Sequence, residues 1–121
     1  MKKKILIVDD ESYLIDIQET IVKREGHDCV KAENGKQAVE IAAAELPDLI
    51  LLDFSLPDMN ALEVARLIRQ NPKTQSTPII IVTGDTSLQQ KDECLKAGFN
   101  DYNNKPFRPK QLVSSIRKLL K

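Results

Sequence analysis

The chain has 121 residues, enough for one compact domain and too few for two of ordinary size. Hydrophobic residues make up 41% of it, so a packed core is within reach and neither disorder nor a disulfide scaffold is needed. Its 18 basic and 18 acidic side chains cancel, which argues against the strongly basic face of an autonomous nucleic-acid binder.

The opening Met1-Lys2-Lys3-Lys4 has the charge of a signal-peptide start, but the apolar run Ile5 to Val8 is cut at once by Asp9, Asp10 and Glu11. A secretory core needs roughly 7–15 apolar residues, and no stretch approaches the roughly 20 of a membrane span. Cys29 and Cys94 have neither metal nor redox spacing and read as reduced thiols. These features predict a cytoplasmic domain over residues 1–121, without membrane attachment.

Ile5 to Val8 reads as a first strand: short, continuously apolar and rich in branched side chains, as in a parallel sheet covered on both faces. A helix follows, with Leu14, Ile17 and Ile21 on its buried face and Gly26 placed to stop it. Asp28 to Ala32 is a weaker strand of mixed polarity, suited to an edge. Asn34 caps a second helix that buries Ala38, Ile41 and Ala42. Leu49 to Leu52 forms another buried strand. Asn60 with Glu63 then has the pattern of a capping box, ahead of the stripe Ala61, Val64, Ala65 and Ile68. Ile79 to Val82 is the fourth strand. Ser87 starts a polar fourth helix that stops at Gly98, and Asn100 to Asn103 is a weak fifth strand. Pro109 suits the first turn of a last helix, whose apolar face is Leu112, Ile116, Leu119 and Leu120. Five strand–helix units predict an α/β, doubly wound (βα)5 sandwich with a five-stranded parallel sheet in flavodoxin-like order 2-1-3-4-5.

In such a fold right-handed crossovers bring every strand's carboxyl end to one edge, where functional groups belong. Those ends carry Asp9 and Asp10, then Asp53, Thr83 and Lys105. Singly each is commonplace: an aspartate in a turn, a strand-end threonine, a solvated lysine. Jointly they mean more. Three acids in one pocket repel, and some stay protonated unless a cation joins them. A hard divalent ion with oxygen ligands, Mg²⁺ above all, resolves this and keeps waters that a phosphate oxygen can replace. A carboxylate beside it can act as a nucleophile toward phosphorus. Lys105 would offset the incoming negative charge and the Thr83 hydroxyl would donate to a phosphoryl oxygen.

The segments carrying these residues, "ILIVDDE" (5–11), "PDLILLDFSLPDMNALE" (47–63), "PIIIVTG" (78–84) and "DYNNKPF" (101–107), resemble in order and spacing the response-regulator receiver domains of bacterial two-component signalling, the CheY-like superfamily. The resemblance covers the whole chain. It implies that Asp53 is the phosphoacceptor and that Asp9, Asp10, Asp53 and the Ser55 backbone carbonyl surround Mg²⁺, with Asp10 the more direct ligand of the adjacent pair. It also implies that Thr83 and Lys105 contact the phosphoryl oxygens and that Tyr102 is the switch aromatic coupled to Thr83. The Lys105–Pro106 bond is implied to be cis, and Ser55 and Asp85 fall at positions tied to dephosphorylation rate. The implied role is a phosphorylation-activated switch rather than an enzyme, promoting only its own Mg²⁺-dependent phosphorylation and dephosphorylation. Its donor would be a sensor histidine kinase or phosphotransfer protein. Its output would be a protein bound through the fourth helix, fifth strand and fifth helix, with no direct nucleic-acid contact.

The chain departs from the family pattern in places. Ala61 stands where glycine is usual and Gly84 where alanine is frequent. Asn103 and Asn104 occupy positions commonly apolar; because a buried amide is costly unless hydrogen-bonded, the fifth strand is expected to fray or to face a partner. Two rivals stay open: a receiver-like binding module that is never phosphorylated, and a Mg²⁺-dependent phosphatase acting on an external substrate, for which short loops leave little pocket. His27, after Gly26 in a loop, lacks the exposed helical setting of a phosphohistidine. Gly26, Gly35, Gly84 and Gly98 form neither a Walker loop nor a dinucleotide fingerprint, which predicts no nucleotide cofactor. The receiver pattern fills the 121 residues, so no output domain is expected within them, whether the chain stands alone or is cut from a longer one.

Overall fold

The computed structural model describes residues 2–84, 98–104 and 108–120. In them β1 (Lys4–Val8), β2 (Asp28–Ala32), β3 (Leu49–Asp53), β4 (Ile79–Thr83) and β5 (Asp101–Asn104) form one parallel sheet in the order β2-β1-β3-β4-β5. Helices α1 (Ser12–Arg24), α2 (Gly35–Glu45), α3 (Ala61–Gln70) and a C-terminal helix (Pro109–Leu119) cover it. The fold class and strand order are those expected. The fourth helix expected from Ser87, together with Asp85, Cys94 and Lys105–Pro106, lies outside the described residues.

Each continuous apolar run resolves into two alternating stripes, because successive strand side chains point to opposite faces. Leu6, Val8, Ile50, Leu52, Ile79 and Ile81 pack with Ala38 and Ala42 of α2 and Val64, Ala65 and Ile68 of α3. Ile5, Ile7, Leu49, Leu51, Ile80 and Val82 pack with Ile15, Ile21 and Val22 of α1 and Leu112 and Ile116 of the C-terminal helix. A strand buried on both faces has no polar side to show. That is why these three segments read as unbroken hydrophobic sequence.

Local chemistry sets the helix ends. Asn34 Oδ1 accepts from the Gln37 amide at 2.8 Å, and Asn60 Oδ1 accepts from the Glu63 amide at 3.0 Å. Only half of the expected capping box forms, because the Glu63 carboxylate turns outward to Arg66. Gly26, at φ +86°, follows α1 in a conformation that glycine adopts without a Cβ penalty. Pro109 occupies the first turn of the C-terminal helix.

Three further expectations are corrected. The face of α1 is rotated: Ile15, Gln18, Ile21 and Val22 are buried, Leu14 is half-buried and Ile17 is 43% exposed. Gln18 is tolerated inside because its Nε2 donates to the Leu14 carbonyl at 3.2 Å. In α2, likewise, Ile41 is only half-buried beside buried Ala38 and Ala42. Nor does β5 fray or turn outward at Asn103. It pairs with β4 from Asp101 to Asn104, and Asn103 is buried with its Nδ2 donating to Ser115 Oγ on the C-terminal helix at 3.1 Å. The hydrogen bond offsets the desolvation that would otherwise make the amide costly there.

Candidate functional site

The sheet register assembles the site. Val8 pairs with Leu52, so Asp9 and Asp53 leave adjacent strands at the same level. Asp53 pairs with Val82, which sets Thr83 one step further along β4. Asp9 is fully buried, its amide donating to the Ala32 carbonyl at 3.1 Å and its Oδ1 accepting from the Glu11 amide at 3.0 Å. Asp53 and Thr83 are also buried, while Asp10 is exposed at the rim. One carboxylate oxygen from each of Asp9, Asp10 and Asp53 falls within 4.8 Å of the others.

Ser55 lies in the connection from β3 to α3, one residue past its start. It forms an isolated antiparallel bridge with Asn60, the Phe54 amide donates to the Val82 carbonyl at 3.2 Å, and the Ala61 amide donates to the Phe54 carbonyl at 2.9 Å. The loop is thus closed at its base, and its first residues are tied to β4. Tyr102 is buried in the same cluster as Ile81, with which it pairs across β4 and β5. Alternation places Thr83 and Tyr102 on one sheet face. Of the residues expected at the site, Asp9, Asp10, Asp53, Ser55 and Thr83 gather at the carboxyl edge, Tyr102 lies further back on β5, and Lys105 lies outside the described residues.

The donor set fits a hard divalent cation. It offers carboxylate oxygens alone, at a spacing one ion can bridge, with two acids inside and one at the solvent rim. Neither sulfur nor imidazole is among the clustered groups, so a soft or nitrogen-preferring metal has less to bind.

Asp58, at the far end of the same loop, is a residue with almost no signal in the sequence. Its two oxygens accept from the Gly35 and Lys36 amides at 2.7 and 2.9 Å, which holds its carboxyl below the usual range, Gly35 first and Lys36 second. An acid in a loop after proline reads simply as a turn former.

A family model described as the response regulator receiver domain matches residues 5–117. The chain is 37% identical over 119 residues to the phosphate regulon transcriptional regulatory protein PhoB of Pseudomonas aeruginosa, covering 98% of this chain and 52% of that protein. It is 36% identical over 121 residues to the DNA-binding response regulator MtrA of Mycobacterium tuberculosis, covering 100% of this chain and 52% of that one. The chain therefore spans about half the length of these curated relatives. Among solved structures, a response regulator from Chloroflexus aurantiacus superposes with a TM-score of 0.93 at 30% identity, over 99% of this chain and 98% of that one. The receiver domain of a sensor histidine kinase from Pseudomonas aeruginosa, with magnesium coordinated in its active-site cleft, gives a TM-score of 0.90 at 29% identity, over 99% of this chain and 98% of that one.

Proposed function

The chain belongs to the response-regulator receiver family, and on that premise we propose that it is a phosphorylation-activated switch whose phosphoacceptor is Asp53. The observation that carries the reading is the convergence of Asp9, Asp10 and Asp53 within 4.8 Å at the carboxyl edge of the sheet. Asp9, Asp10, Asp53 and the Ser55 carbonyl would hold Mg²⁺, which when bound neutralises charge on the acids and on the entering phosphoryl group.

An Asp53 carboxylate oxygen forms a bond to phosphorus as the phosphorus–nitrogen bond of a phosphohistidine donor breaks, and the departing imidazole keeps the electron pair and takes a proton from solvent. Burial of Asp53 limits the approach of bulk water to the acyl phosphate. The Thr83 hydroxyl donates to a phosphoryl oxygen, and Lys105 supplies the cationic contact. Drawing Thr83 toward the phosphoryl group opens space behind it on the sheet face it shares with Tyr102, which shifts a pre-existing equilibrium of that ring.

The donor is a sensor histidine kinase or phosphotransfer protein, and the output is a protein bound on the side of the sheet where β5 and the C-terminal helix meet. Zero net charge supports an output made by protein contact, without direct nucleic-acid binding by these residues. Among the described residues no helix is long and apolar enough to cross a membrane, and membership of the receiver family supports a cytoplasmic setting.

The test is incubation with Mg²⁺ and a small phosphodonor, followed by intact-mass measurement. One added phosphoryl group is expected, absent when Asp53→Ala is substituted. No adduct, or an adduct that survives the substitution, refutes the reading.

A further inference from the structure

The β3–α3 loop that carries the Ser55 carbonyl does not stand alone. Its far end is bolted to the start of α2. The first amides of a helix have no partner within it, and in α2 side chains meet those of Gly35, Lys36 and Gln37. Asp58 takes Gly35 and Lys36, and the Asn34 side chain takes Gln37 at 2.8 Å. The negative carboxylate also sits where the helix dipole favours it. Met59, the next residue, packs on Gly35 so closely that a methyl group there would run into its side chain, with Sδ at 2.8 Å and Val64 Cγ2 at 3.0 Å. Helix α2 is itself anchored through buried Ala38 and Ala42.

The loop between Asp53 and α3 is therefore fixed at its base by the Ser55–Asn60 bridge and at its tip by Asp58 and Met59. A backbone carbonyl has no rotamer of its own. Its direction is set entirely by the loop that carries it. We infer that Asp58 is a positioning residue of the metal site, holding the loop so that the Ser55 carbonyl completes the oxygen set of Asp9, Asp10 and Asp53; this rests on the proposed Mg²⁺ site. The residue touches neither metal nor phosphoryl group and acts through the backbone it restrains.

The experiment measures the Mg²⁺ dissociation constant of the unphosphorylated protein by calorimetric or NMR titration, with amide hydrogen exchange at Gly35 and Lys36 as an independent readout. Asp58→Ala is expected to weaken Mg²⁺ about tenfold, the low end of what loss of an outer-shell support costs, and to speed exchange at both amides. Asp58→Asn loses the same charge but keeps an acceptor oxygen, so it is expected to recover most of the affinity. Arg117→Ala, which breaks a distant ion pair with Glu25, is expected to leave Mg²⁺ binding unchanged and so separates positioning from general loss of stability. Unaltered Mg²⁺ affinity in Asp58→Ala overturns the inference alone. Equal weakening in the alanine and asparagine variants also overturns it, by assigning the effect to charge. A wild-type protein that binds no Mg²⁺ overturns the metal site and the inference together.

Discussion

At the amino edge of the sheet, charges are matched where they stand. Lys4 Nζ lies 3.0 Å from Glu45 Oε1, the Lys4 amide donates to Asp48 Oδ2 at 2.9 Å, and Lys2 lies 3.4 Å from Asp28. On the flank of α1 the pattern repeats, with Glu19 between Lys31 and Lys23 and Glu25 against Arg117. At the carboxyl edge, by contrast, three acids crowd within 4.8 Å, two of them buried. Among the described residues, the same sheet thus ends in opposite-charge pairs on one side and a cluster of three acids on the other. Like charges held together cost stability and persist where something else needs them. The difference supports the proposal that the carboxyl edge is the working end of the molecule.

Substitutions at the two edges should therefore part company. Asp53→Ala is expected to abolish the phosphoryl adduct completely, whereas Glu45→Ala at the opposite edge should leave its yield unchanged, both read by intact mass. A Glu45 variant that loses the adduct breaks the comparison.

Not every buried polar group near the working end is there for chemistry. Asn103 and Ser115 satisfy one another inside the fold. Asn103→Ala leaves the serine hydroxyl without that partner and should cost about 1–3 kcal/mol in urea unfolding. Replacing both, with Asn103→Val and Ser115→Ala, should restore most of the loss. If the double variant instead loses phosphorylation while remaining folded, the pair belongs to the site after all.

Removing a single member of an exposed amino-edge pair should matter little. Lys4→Ala is expected to cost less than about 1 kcal/mol, since solvent screens the partly exposed pair. The pH dependence is a still finer probe. Lys31, then Lys23 and then Cys29 hold the Glu19 carboxyl down at about 2 from an ordinary 4.5. A depressed acid contributes stability that is complete above its unfolded value and disappears as pH falls through the folded one. A contribution from Glu19 should therefore fade between about pH 4.5 and 2 and be missing in Glu19→Gln, as followed by thermal unfolding.

The strand plan was plain in the sequence because a doubly covered parallel sheet leaves unbroken runs such as Ile79 to Val82, and the register follows from packing them. Asp9, Asp10, Asp53 and Thr83 were legible for a related reason: topology alone sends strand ends to one edge. The face of α1 was not. Tyr13, Leu14, Ile15, Ile17, Ile21 and Val22 spread over too wide an arc for periodicity to choose between neighbouring faces. Burial of Gln18, satisfied by a carbonyl of its own helix, also runs against any pattern of hydrophobicity. Asn103 read as a liability because its partner, Ser115, lies on another element. Asp58 was hidden for the same reason, since its two amide donors are 23 and 22 residues away in the chain. Polar groups whose meaning depends on one distant partner are the ones that sequence spacing leaves unread.

The sharpest test of the contrast between edges is an amide NMR titration of the unphosphorylated protein with Mg²⁺. Saturable shifts should be concentrated at residues 9–11 and 53–55, with residues 2–4, 28 and 45–48 unmoved. Shifts of equal size at both edges, or none at the carboxyl edge, would contradict the account.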